Sequence, residues 1–287
     1  MSRPLRMIAA CFAALLGGGL ALAQPVPPVD DDTRLASAIA RLEPQRPGVV
    51  DAYVVVAALD ADPVFGREAR EAGRVLAARF DAAGRTLVLA NDEGGDRADA
   101  GATPEGLAKA LGAVAARLNR DEDVLVLYTT SHGSPDAGLN FRDPLRGEAI
   151  IPPAQLAAML AGFNNRLVIL QACFSGQFVD ALAAPRTVVV TASSALKSSF
   201  GCSADNDWTF FGHALINQAM RHPDSFERQF RRAYVTILGW EQRLGIEASS
   251  PQIRIGGKTA GWLAALDARE PKVASAPVGR PPSELGQ

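Results

Sequence analysis

A histidine and a cysteine stand at matching places in this chain. The run Val124-Leu-Val-Leu-Tyr-Thr-Thr closes on Ser131-His132-Gly133, and the run Leu167-Val-Ile-Leu-Gln-Ala closes on Cys173-Phe174-Ser175-Gly176. Each is an apolar β-type run that stops at a reactive side chain. A thiolate attacks a carbonyl carbon far better than a thiol does, and an ordinary cysteine, with a pKa of about 8.5, is mostly protonated at neutral pH. The chemistry therefore needs a base nearby. An imidazole can take the thiol proton and later hand a proton to a leaving group. In an open α/β sheet the carboxyl ends of the strands face the ligand cleft, so two reactive residues at two strand ends would meet there.

Other reactive side chains carry weaker signals. His213 and His222 fall on expected helices and read as packing or surface residues. Three scattered histidines make no metal site, and no CxxC pair offers a zinc or redox centre. Asn164 and Asn165 read as turn residues, so no third member of a Cys-His arrangement stands out. Cys202 lies in the loop after the expected fifth strand, close enough in topology to raise a reversible disulfide with Cys173 or simple packing as a small apolar side chain.

The elements that must position these groups alternate along the chain. Residues 24–48 are Pro-rich and polar, with a short helix expected near 35–42. Continuous apolar runs predict strands over 52–59, 85–90, 124–130, 166–172 and 187–192, with a short sixth strand over 252–255. Runs without polar alternation suit strands covered on both faces. Helices are expected over 64–80, 104–118, 153–160, 208–220 and 226–244, and a hairpin over 139–151. Thr103-Pro104 reads as a helix start, with Thr at the N-cap and Pro in the first turn. This alternation predicts an α/β fold with one mostly parallel six-stranded sheet and helices on both faces. Pro271, Pro277, Pro281 and Pro282 predict a disordered C-terminal tail over 266–287.

Totals narrow the classes further. The chain has 287 residues, 48% of them hydrophobic and 6% aromatic, and a net charge of -2. A near-neutral balance excludes a basic nucleic-acid binder as the natural reading. Arg3 and Arg6, the apolar run from Met7 to Leu22 and the Ala21-Leu22-Ala23 site read as a signal peptide over 1–23, with cleavage before Gln24. The expected location is periplasmic or secreted, with no membrane span after cleavage. Cys11 would leave with that segment.

With these residues in hand, the chain resembles the legumain family of cysteine peptidases, peptidase family C13, whose fold is caspase-like. His132-Gly133 and Cys173-Phe174-Ser175-Gly176 close two strands in the family's order, 41 residues apart. Ser198-Ser199-Phe200-Gly201-Cys202, followed by Asn206-Asp207-Trp208, is similar to the family's substrate-pocket segment. The helix start Val64-Phe65-Gly66-Arg67-Glu68 and the run Asn119 to Asp123 look like bacterial members. The resemblance spans about residues 50–257 and implies a caspase-like three-layer sandwich over 49–265.

What the resemblance implies can be placed residue by residue. Cys173 would be the nucleophile and His132 the general base and acid. The amides of Gly133 and Cys173 would form the oxyanion hole. Asp207, with Ser198 and Ser199, would line a pocket for a substrate Asn or Asp. The substrate would be a peptide or protein, with no cofactor and no nucleic acid. One departure is visible: the family carries an Arg at the end of the first strand that completes this pocket, whereas here that strand ends Ala57-Ala58-Leu59-Asp60, with no Arg before Arg67. Two rivals share the residues. A transamidase would use the same acyl-enzyme with an amine in place of water, and a non-catalytic caspase-like domain would bind without cleaving. A flavodoxin-type binding protein would need a phosphate loop, and no such glycine pattern follows any strand.

Overall fold

The structure is a computed structural model that describes residues 30–91 and 98–285. The expected signal peptide over 1–23 lies outside the described residues. The apolar runs become strands almost where expected: β1 (Ala52–Ala58), β2 (Thr86–Leu89) and β3 (Val124–Thr130). After His132 come a two-residue β4 (Gly133–Ser134) and the hairpin β5 (Gly138–Asp143) and β6 (Gly147–Ile151). The last strands are β7 (Asn165–Gln171), β8 (Thr187–Thr191) and β9 (Gln252–Ile255). The main sheet has the order β2-β1-β3-β7-β8-β9, and β4-β5-β6 form a small separate sheet. All main-sheet pairs are parallel except β9, which runs antiparallel to β8.

Helices cover both faces, which is why β1 and β3 are buried along their whole length. One face carries α1 (Asp31–Arg41), α3 (Pro104–Ala115), α4 (Pro153–Met159) and the short α5 (Val179–Leu182), packed on Tyr53, Val55 and Ala57. The other carries α2 (Pro63–Arg79), α6 (Phe210–Gly212), α7 (Phe226–Leu244) and α8 (Ala260–Asp267), packed on Val54, Val56 and Tyr128. This is the α/β three-layer sandwich expected. Alternate residues of each strand feed opposite layers. Thr103 caps α3 as its sequence foretold, accepting from the Gly106 amide at 2.9 Å.

Three expectations need correction. The helix expected over 208–220 is broken: α6 passes into a π-helical turn over His213–Gln218 and a 3-10 turn over Ala219–Arg221. The wider π turn lets both Asn217 and Gln218 reach back to the His213 ring, at 3.0 and 3.1 Å. The helix α8 went unread because its run is short and uniformly apolar. The tail over 266–287, expected to be disordered, is described through residue 285 as a strap hydrogen-bonded to the domain. The Trp208 indole donates to the Val278 carbonyl at 2.7 Å, Val278 N–H donates to Asn217 at 2.9 Å, and Ser283 N–H donates to Asn206 at 2.9 Å. Prolines exclude helix and inner strand from such a segment but leave its carbonyls free to dock.

No helix among the described residues is long and apolar enough to cross a membrane.

Candidate active site

Register brings the two reactive residues side by side. β3 and β7 are neighbours, with Thr130 opposite Gln171. His132 and Cys173 each follow that pair by two residues. The Gln171 side chain clasps the two strand ends, accepting from Thr130 Oγ1 at 3.1 Å and from the Ser131 amide at 3.3 Å. The loops beyond then touch: a Cβ placed on Gly133 would lie 2.1 Å from the Cys173 carbonyl oxygen, so only glycine fits there. Gln177 ties them again, donating to the carbonyls of Ser134 at 3.1 Å and Phe174 at 3.0 Å.

Cys173 sits on a sharp reversal. Phe174 takes left-handed angles, φ 57° and ψ 15°, which are unusual for a bulky residue and mark a turn held by its surroundings. The hold comes from the segment after β8. Phe174 N–H donates to the Lys197 carbonyl at 2.8 Å. Ser175 is buried and exchanges hydrogen bonds with Ser193. Ser199 faces the sulfur directly: its amide donates to Cys173 Sγ at 3.2 Å, and its carbonyl lies 3.5 Å away as an acceptor for the thiol.

His132 is held by a residue the sequence did not single out. Its Nε2 lies 3.1 Å from Asp62 Oδ2, and its ring packs edge-on against Phe65, with centroids 5.0 Å apart. An ionised carboxylate can only accept, so the contact calls for a proton on Nε2, and in a neutral ring the lone pair then lies on Nδ1. The same Asp62 oxygen receives Arg142 Nη2 at 2.8 Å, and Arg142 also grips Asp60 through two contacts of 3.1 and 3.2 Å. A signal for Asp62 existed. Asp62-Pro63 reads as the start of α2, yet the Asp62 side chain makes no capping bond there and turns to the imidazole instead. Asp60, Asp62 and His132 bring three ligand atoms within 4.8 Å of one another, but the Arg142 guanidinium already supplies the cation at that spot.

Two amides flank the cysteine. Asn140 N–H donates to the His132 carbonyl at 3.0 Å, which makes Gly133 and Leu139 a non-hydrogen-bonded pair of the small sheet. The Gly133 amide therefore points out of that ladder. The Cys173 amide lies beyond the last residue of β7.

The expected pocket residues separate in character. Ser199 is buried and joined to Cys173 through its backbone, while Ser198 is exposed. Asp207 is half-buried and held between two arginines, with Arg67 Nη1 at 3.3 Å and Arg280 Nη2 at 3.1 Å. Arg280 also donates its backbone amide to Asp207 Oδ2 at 2.7 Å. Burial works to raise the Asp207 pKa, but the Arg280 hydrogen bonds and the two positive charges outweigh it and hold the carboxyl below its usual range. Arg67 reaches Asp207 from the first turns of α2, whereas no arginine stands at the end of β1. Cys202 packs against the sheet core with Cys173 and Cys202 both free, and burial pushes its thiol pKa up. Behind it the fully buried Glu68 accepts from Tyr128 at 2.5 Å and from the Thr209 amide at 2.7 Å. Burial raises the Glu68 pKa above the carboxylate range, and the bonds to Thr209 pin the start of α6 next to Asp207.

Comparison with known proteins adds an independent line. Residues 106–260, more than half of the chain, match the model of the Peptidase C13 family. No curated protein sequence matches. Among solved structures, the chain is similar to caspase-1 from Spodoptera frugiperda, at 14% identity and a TM-score of 0.49, over 74% of this chain and 92% of that one. It is also similar to a secreted C11 cysteine protease from Bacteroides thetaiotaomicron that carries an irreversible peptide inhibitor. There the identity is 13% and the TM-score 0.41, over 67% of this chain and 60% of that one.

Proposed function

The chain belongs to the peptidase C13 family and is a cysteine-type peptidase, and we propose that it is an endopeptidase in which Cys173 is the nucleophile and His132 the general base and acid. The observation that carries this reading is the juxtaposition of two strand ends: His132 and Cys173 each follow a paired residue of β3 and β7 by two positions, with Gly133 against the Cys173 carbonyl.

The chemistry runs in two halves. Nδ1 of His132 takes the thiol proton, and the thiolate of Cys173 attacks the scissile carbonyl. The carbonyl oxygen becomes an oxyanion, which the amides of Gly133 and Cys173 receive. One such donor is worth roughly 10²–10³ in rate. The C–N bond then breaks, the imidazolium gives its proton to the leaving amine, and a thioester remains on Cys173. Water, deprotonated by His132, hydrolyses the thioester and frees the thiol. Asp62 holds the imidazole and its tautomer through both halves, and Arg142 keeps Asp62 in place.

On the acyl side we place the 198–207 segment, with Ser198, Ser199 and Asp207 as lining residues. An Asn side chain offers amide hydrogens and a carbonyl, which match the carboxylate of Asp207 and the guanidinium of Arg67. This supports cleavage after Asn or Asp. The peptidase domain is taken as 49–265, and residues 1–23 as a signal peptide that sends the protein to the periplasm or outside the cell.

The test is labelling with acyloxymethyl-ketone peptides that differ in the residue bound next to the warhead. Cys173 should be modified, and the Asn and Asp probes should react fastest. Labelling at another residue, or none, would overturn the reading. Products in which a supplied amine replaces water would assign a transamidase instead.

A further inference from the structure

Cys173 separates two sides of the surface. On one lie Ser199 and the 198–207 segment. On the other lies an open cleft of about 720 Å³, bounded by Asp60, Asp62, His132, Ser134, β5 and β6. The hairpin forms its floor, with Phe141 and Ala149 among the lining residues. Leu139 and Ile151 are buried beneath it, and the register sets Asn140 opposite Ile150 and Arg142 opposite Glu148 on one face. Ile150 is 47% exposed there with nothing covering it.

We propose that this cleft receives the leaving-group side of the peptide substrate and that Glu148 selects a Lys or Arg side chain there. The proposal rests on the peptidase reading above. Its first support is position. A general acid must stand beside the nitrogen it protonates, so the chain beyond the scissile bond departs over His132, where the cleft begins. At about 3.3 Å per extended residue, a cleft of this size holds roughly two or three residues.

Charge is the second support. The cleft has three carboxylates, Asp60, Asp62 and Glu148, against the single guanidinium of Arg142. Arg142 faces Glu148 in register but spends its contacts on Asp60 and Asp62. Glu148 is exposed and makes no ion pair among the described residues. A net negative cleft with one unpaired carboxylate favours a cation. Ile150 beside it offers an apolar surface for the methylene stem of a lysine or arginine.

The experiment is digestion of a proteome-derived peptide library, with the residues on the leaving side of each cut read by mass spectrometry. The wild-type protein should cut sites with Lys or Arg in the first three leaving-side positions about two- to fivefold more than sites with Asp or Glu, the range expected of an exposed ion pair. Glu148→Gln should flatten that ratio and Glu148→Lys should reverse it. Glu148 lies on an exposed edge strand, so both variants should fold, which thermal unfolding checks. An absent preference, or one unchanged in Glu148→Lys, overturns the proposal. An acyloxymethyl ketone, which occupies only the acyl side, reports the nucleophile separately. Labelling with charge-blind cutting sinks this inference alone, whereas no labelling and no cutting sinks the peptidase reading.

Discussion

Asp62 Oδ2 lies 3.1 Å from Nε2 of His132 and 2.8 Å from Nη2 of Arg142, so one carboxylate oxygen joins the imidazole to a guanidinium. The arrangement favours a proton on Nε2 and holds the ring in one orientation. Asp62→Ala should lower kcat by about tenfold to a hundredfold, a part of what general acid–base catalysis contributes. The pH profile separates orientation from folding: the limb set by His132 should move in Asp62→Ala, and Asp62→Asn should restore the orientation without the charge. An unchanged profile in both variants would remove Asp62 from the mechanism.

Cys173→Ala and His132→Ala should each abolish peptide cleavage while leaving the fold intact. Both side chains are half-exposed at strand ends, outside the core clusters. Circular dichroism and thermal unfolding would verify the fold. Wild-type turnover by Cys173→Ala would refute the nucleophile.

Gly133→Ala should be inactive for a different reason. Its new Cβ would sit 2.1 Å from the Cys173 carbonyl oxygen, which is backbone and cannot swing aside. The two loops must part, and the amide moves from the oxyanion position, a loss of roughly 10²–10³ in rate for one donor. Kinetics alongside ketone labelling would show it: labelling and turnover should fall together.

His213 makes stability depend on pH. Burial lowers its pKa from 6.5 to about 4, with the ring stacked against Trp240. The unfolded chain takes up a proton below pH 6.5 that the folded chain refuses until about pH 4. The contribution is therefore complete above pH 6.5 and is lost as pH falls towards 4. It amounts to about 3 kcal/mol over the window, at 1.36 kcal/mol per pKa unit. Urea unfolding at pH 7 and 4.5 should show the drop in the wild type and a smaller one in His213→Asn.

The mature N-terminus is expected at Gln24. N-terminal sequencing of protein recovered from the periplasm or medium would check this. An intact Met1 on cytosolic protein would contradict export.

Much of this was legible because the relevant physics is local. Continuous apolar runs announce strands buried on both faces, and Thr103-Pro104 announces a helix start. His132 and Cys173 were legible because each ends such a run, so that parallel pairing alone carries both to one edge. Glycine at 133 was legible only as an amide donor that the resemblance implies, and not as the residue that meets the Cys173 carbonyl.

The rest depends on side chains meeting across long sequence separations. Asp62 and Arg142 reach His132 from α2 and β5, and Asp62-Pro63 by itself reads as a helix cap. Arg67 meets Asp207 because the first turns of α2 lean over the 204–207 loop. The proline-rich tail is held by Trp208, Asn217 and Asn206, whose free donors and acceptors no local pattern reveals. The chain by itself determined which residues stand at the strand ends and therefore which two parallel pairing carries to one edge, since periodicity and burial are properties of short segments. Only the tertiary structure decided what orients the imidazole, what pairs with Asp207 and what lies on the far side of His132, since ion pairs and clefts form between segments that the sequence keeps apart.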